Sequence, residues 1–133
     1  MTNLIKLEAG EDCGIGDSGI HKLNLEELSA NGNPKITNVN HLTNLTKLIA
    51  SDSCGIGDSG IQKLNLIELY ASMNPKITNT NHLTNLTLLV AGGRECWIDN
   101  AAISKVNLPG LGSLDNRKIT HFEIPSYQGF YYH

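Results

Sequence analysis

Gly14-Ile15-Gly16-Asp17-Ser18-Gly19 spells G-x-G-x-x-G, and Gly55 to Gly60 spells it again. Between a strand and a helix, such a loop can hold a dinucleotide pyrophosphate on its backbone N–H groups. That chemistry also needs a βαβ unit of about thirty residues and an acidic ribose partner. Neither follows here. Cys13 and His21 form the next pair of interest, a possible nucleophile and base. The second copy of this stretch carries Gln62 where the first has His21, so the pair is not repeated. Cys13, Cys54 and Cys96 recur at equivalent places, as do His41 and His82. Residues two strands apart in a sheet lie roughly 10 Å apart. That is too far for a disulfide or for one metal ion to span. The thiols are therefore read as buried and inert, and the histidines as loop residues. No catalytic residue, metal ligand or cofactor is expected, and the chain is read as a non-enzyme.

What positions these residues is a repeat. Residues 13–47 return at residues 54–88 with seven differences over 35 positions. Each long unit splits in two. Leu4-x-x-Leu7-x-Ala9 is followed by Leu25-x-x-Leu28-x-Ala30 and Leu45-x-x-Leu48-x-Ala50. Leu66-x-x-Leu69-x-Ala71, Leu86-x-x-Leu89-x-Ala91 and Leu108-x-x-Leu111-x-Ser113 complete six copies. Alternating apolar positions make a short half-buried strand. Strands separated by a full crossover run parallel. A period this short implies stacked units with one continuous core.

The pattern resembles the leucine-rich repeat family, over roughly residues 2–120. Units with Asn-Pro-Lys-Ile-Thr, at Asn33–Thr37 and Asn74–Thr78, look like the short bacterial type. Units with Cys-Gly-Ile-Gly-Asp-Ser-Gly-Ile are similar to the cysteine-containing and ribonuclease-inhibitor types. The third apolar position is small here, where the family has Leu. The resemblance implies an α/β solenoid: a right-handed coil with a parallel β-sheet on the concave face and short helical or 3₁₀ turns on the convex face. It also implies a binding scaffold. The asparagine of each Asn-Pro-Lys-Ile is expected to bond backbone groups of neighbouring coils. Asp17, Asp58, Asp99, Thr37, Thr78 and Thr120 each precede a short apolar stretch and read as N-caps.

In L-x-x-L-x-A the leucines and alanine face the core, so the third and fifth positions project onto the opposite face. The third column reads Lys6, Glu27, Lys47, Glu68, Leu88, Gly110. The fifth reads Glu8, Ser29, Ile49, Tyr70, Val90, Gly112. Opposed lysines and glutamates occupy the first half. Ile49, Tyr70, Leu88 and Val90, with Met73 at the rim, form an apolar block that invites a partner. Lys47 and Glu68 border it. Five of the seven differences between the copies fall in or just after strands: Glu26/Ile67, Ser29/Tyr70, Asn31/Ser72, Gly32/Met73 and Lys47/Leu88. Selection for binding and free drift of exposed positions both account for that.

Net charge is −3, which gives no basic stripe for nucleic acid. No run reaches membrane-spanning length. Three cysteines in register and no signal-like leader suggest a reducing, cytoplasmic setting. Asn44 and Asn85 match the glycosylation sequon, but within the repeated LTNLT element. Residues 121–133 hold five of the seven aromatics and read as a C-terminal cap or tail. The first strand has no polar cap before it. Two functions stay open: a protein-interaction scaffold using the concave face, and a self-assembling module pairing through the first strand or the aromatic tail.

Overall fold

The computed structural model describes residues 4–120; the expected C-terminal cap at 121–133 lies outside them. Six three-residue strands form one parallel sheet in chain order. They are β1 (Lys6–Glu8), β2 (Glu27–Ser29), β3 (Lys47–Ile49), β4 (Glu68–Tyr70), β5 (Leu88–Val90) and β6 (Gly110–Gly112). Each strand begins a unit, numbered here by its strand. Register is strict: Leu28, Leu48, Leu69, Leu89 and Leu111 pair in series. These leucines are buried, as are Ala30, Ala50, Ala71 and Ala91. Leu4 is exposed and Leu7 half-buried, because unit 1 has a described neighbour on one side only.

The ladder outlasts the strands. Ala9, Ala30, Ala50, Ala71 and Ala91 each donate an N–H to the next unit at 2.7–2.8 Å. Two residues later each unit enters the left-handed region, at Glu11, Gly32, Asp52, Met73, Gly93 and Asp115. The first five of these still donate to the following unit. The chain thus keeps its last ladder bond while turning off the sheet.

Between alternate strands lie α1 (Asp17–Ile20), α2 (Asp58–Ile61) and a 3₁₀ turn at Ala101–Ile103, each burying its last isoleucine. The N-cap expectation is corrected for four residues. Gly16 and Gly57 occupy the cap positions and make no side-chain cap bond. Asp17 instead reaches into unit 2, accepting from the Thr37 amide at 2.8 Å, the Thr37 hydroxyl at 2.6 Å and the Asn38 amide at 3.2 Å. Asp58 does the same with Thr78 and Asn79. Thr37 and Thr78 precede turns without a helix, so they serve as donors between units. Burial pushes the Asp17 carboxyl up, but these donors outweigh it and hold it below its ordinary value. Asp99 stands one residue before the cap position Asn100, yet accepts from the Ala102 amide at 2.9 Å. Thr120 pairs with the Asn100 amide group of unit 5.

Asparagines close the remaining gaps between units. Asn33, Asn74 and Asn116 are buried. Asn33 Nδ2 donates to the Ala9 and Ile15 carbonyls of unit 1 at 2.7 and 2.9 Å. Asn74 takes Ala50 and Ile56 in unit 3, and Asn116 takes Ala91 and Ile98 in unit 5. Each Oδ1 accepts an amide of its own turn, from Lys35, Lys76 or Lys118. Asn40 and Asn81 hold the alternate junctions, donating to Ser59 and Ala101 at 2.8 Å.

The glycines of the repeated G-x-G-x-x-G serve spacing between units more than unusual dihedrals. Only Gly14 has a positive φ; its counterpart Gly55 does not. A Cβ on Gly60 would collide with the Thr37 carbonyl of unit 2, whereas one on Gly19 would meet only the Ile15 side chain. Gly60→Ala should therefore destabilise by about 1–3 kcal/mol, and Gly19→Ala should change stability by under about 1 kcal/mol. Urea denaturation of the two variants compares the same motif position in both copies. By the same method Asn74→Ala should cost about 2–5 kcal/mol, because two buried carbonyls lose their donor.

Candidate functional site

Strand alternation sends every second side chain out of the sheet. The register aligns Lys6, Glu27, Lys47, Glu68, Leu88 and Gly110 in one row, and Glu8, Ser29, Ile49, Tyr70, Val90 and Gly112 in the other. The rows predicted from spacing are thus the rows found. Ile49, Tyr70 and Val90 are neighbours, with Leu88 beside Glu68. Their exposure is less than expected. Lys47, Ile49, Glu68, Tyr70, Leu88 and Val90 are all half-buried, because neighbouring side chains only one strand spacing apart cover one another. Gly110 and Gly112 are buried.

The expected alternation of charges is found across β1 to β4, but only its first pair closes. Lys6 and Glu27 pair at 3.7 Å, the only ion pair among the described residues. Lys47 instead places Nζ 5.8 Å from the Tyr70 ring centroid, a weak cation–π contact at the border of the apolar block. Lys6, Glu8, Glu27 and Lys47 line a shallow hollow at the charged end of the face.

Met73 sits at the rim, 39% exposed. Its φ is +60°, at the place where unit 2 has Gly32. A side chain with a Cβ is strained in this region by roughly 1–2 kcal/mol. The thioether lies directly over Gly93, whose missing Cβ leaves it that seat. The same turn position is left-handed in every unit, at Glu11, Asp52 and Asp115 as well, so the conformation belongs to the repeat and only the apolar side chain is particular to unit 4.

The other candidates scatter. Cys54 and Cys96 are buried, and burial pushes both thiols up, away from the reactive thiolate. Cys13 is exposed, which corrects the expectation of a buried thiol. Its unit has no described predecessor, so nothing covers it in the way that unit 2 covers Cys54. His41 and His82 are exposed, and each places Nε2 near a helix-end carbonyl of the preceding unit, Ile20 at 2.9 Å and Ile61 at 3.1 Å. Both therefore act as links between units. Among the described residues no group of three His, Cys, Asp or Glu is placed to hold a metal ion. No helix among them is long and apolar enough to cross a membrane.

One cluster was not read from the sequence. Arg94, Asp115, Arg117 and Lys118 line a depression on the edge where the chain leaves the strands of units 5 and 6. Lys118 Nζ lies 4.5 Å from the ring centroid of Trp97, which is 54% exposed. Its ammonium also donates to the Arg94 and Cys96 carbonyls at 3.4 and 3.2 Å. The signal was available: Cys54 to Cys96 is one residue longer than Cys13 to Cys54, and this corner holds the sole tryptophan and both arginines.

Comparison with family models, with curated proteins and with solved structures finds no match.

Replacing Met73 with Gly should raise stability by about 1–2 kcal/mol through relief of the left-handed strain. Thermal unfolding of the variant, with chemical denaturation as a check, measures it.

Proposed function

We propose that this chain is a leucine-rich-repeat-type solenoid, a right-handed coil whose sheet lines the concave side, acting as a non-enzymatic scaffold that binds a protein partner on that face. The observation that carries the reading is the block of Ile49, Tyr70, Leu88 and Val90 in adjacent register. Two of its members stand where the first copy carries Ser29 and Lys47, so a polar surface has become apolar without change to the leucine core. Tyrosine and methionine give broad contact area, and such residues are enriched at the centres of interfaces. Strained Met73 extends the block to the rim. A cytoplasmic setting is part of the proposal, since the buried thiols suit a reducing compartment.

A second reading is self-association through β1. That strand borders no described strand on one side, and Leu4 and Ile5 beside it are 42% and 49% exposed. Unpaired strand edges are templates for pairing with another chain. Sedimentation equilibrium separates the two readings, since only the second gives a concentration-dependent mass.

The test of the scaffold reading restores the first copy's residues. Peptides selected from a display library on the wild-type chain should lose about tenfold or more in affinity for Tyr70→Ser/Leu88→Lys, the loss expected for hot-spot residues. The unfolding midpoint should hold. Selected peptides that bind the variant as tightly as wild type would contradict the reading.

A further inference from the structure

We propose that the partner of this face is an acidic, apolar protein segment whose carboxylates are taken by Arg94, Arg117 and Lys118 at the rim. The inference rests on the scaffold reading for its apolar half and on the basic corner for its acidic half. The two are continuous. Val90 ends β5, and Gly93 follows it by three residues with Met73 lying across it. Arg94 is the next residue. A segment packed on Tyr70 and Val90 would thus pass over Met73 and arrive at the arginines.

Three departures from the repeat meet at this corner. Unit 5 gains one residue, bringing Arg94. Trp97 follows Cys96 where Gly14 follows Cys13 and Gly55 follows Cys54. Arg117 follows the buried asparagine where units 2 and 4 have Pro34 and Pro75. Lys35 and Lys76 match Lys118, but only Lys118 has a ring beneath it. Two carbonyls and the indole fix its ammonium before any ligand arrives, which lowers the ordering cost of binding. Arg94 and Arg117 are exposed and make no ion pair among the described residues. Asp115 lies in the same depression and leaves it two positive charges in excess, while Glu95 lines the adjoining hollow at Met73 with Asp52 and Lys76. The chain as a whole is negative, and the same edge of unit 1 carries Glu11 and Asp12. Guanidinium groups suit paired recognition of carboxylates.

Trp97 is the only tryptophan, so its emission reports on the corner directly. The probe is a synthetic peptide with a leucine-rich half and a glutamate-rich half, titrated beside its lysine counterpart. The glutamate peptide should shift Trp97 emission, and added salt should weaken it. Arg94→Ala/Arg117→Ala should bind it about tenfold more weakly and with less salt dependence, at an unchanged unfolding midpoint. Tyr70→Ser/Leu88→Lys should weaken it independently. If only the arginine variant weakens binding, the acidic site stands and the concave-face reading falls. If only the sheet-face variant does, the scaffold stands and this inference falls. Equal binding of the lysine peptide, no binding of either, or full competition by inorganic phosphate or a single-stranded oligonucleotide would overturn it.

Discussion

The carbonyl oxygens of Ala9 and Ile15, Ala50 and Ile56, and Ala91 and Ile98 face the following unit beyond the end of the strand ladder. Each pair is taken by one buried asparagine side chain, Asn33, Asn74 or Asn116. A buried polar group left without a partner costs about 1–3 kcal/mol. Asparagine offers two donors to the unit behind and an acceptor to its own turn. The rest of the stack follows from that spacing. With the units held at hydrogen-bond distance, the leucines close on one another, and Gly55 and Gly60 of unit 3 have no room for a side chain against Pro34 and Thr37 of unit 2.

The same constraint explains why the true period is two strands long. Junctions alternate in chemistry. Units 1 and 2, 3 and 4, and 5 and 6 are joined by the buried asparagines, with Asp17 and Asp58 adding bonds on the helical side. Units 2 and 3, and 4 and 5, are joined by Asn40 and Asn81. Most residues that face a junction are repeated letter for letter; the buried exception is Val39, replaced by Thr80, whose hydroxyl donates to the Ala102 carbonyl of the next unit. Outward strand positions touch only side-chain neighbours, and there the copies diverge. The candidate site occupies the part of the surface where the core makes no demand.

Much of this was legible in the letters. The leucine spacing alone places all six strands, their parallel order and both outward rows. The Asn-Pro-Lys-Ile motif places Asn33 and Asn74 against backbone. Asn116 was missed because Arg117 replaces the proline that marks the motif. Thr37 and Asp17 were misread, since a cap within one helix and a bond between two units leave the same local signature. The exposed Cys13 was misread because repetition says nothing of what lies beside the first unit. Half-burial of Tyr70 and Leu88 depends on side-chain rotamers across strands, which spacing does not fix. The basic corner was hidden for the opposite reason. It consists of departures from the repeat, and a reading that follows the repeat passes over them.

Hydrogen exchange of the side-chain amides, followed by NMR, tests the central claim most directly. The Nδ2 protons of Asn33, Asn74 and Asn116 should exchange only through unfolding of the stack, orders of magnitude more slowly than those of exposed Asn85. Exchange of all three at the Asn85 rate would show that these side chains are not the bonds between units, and the account would fail.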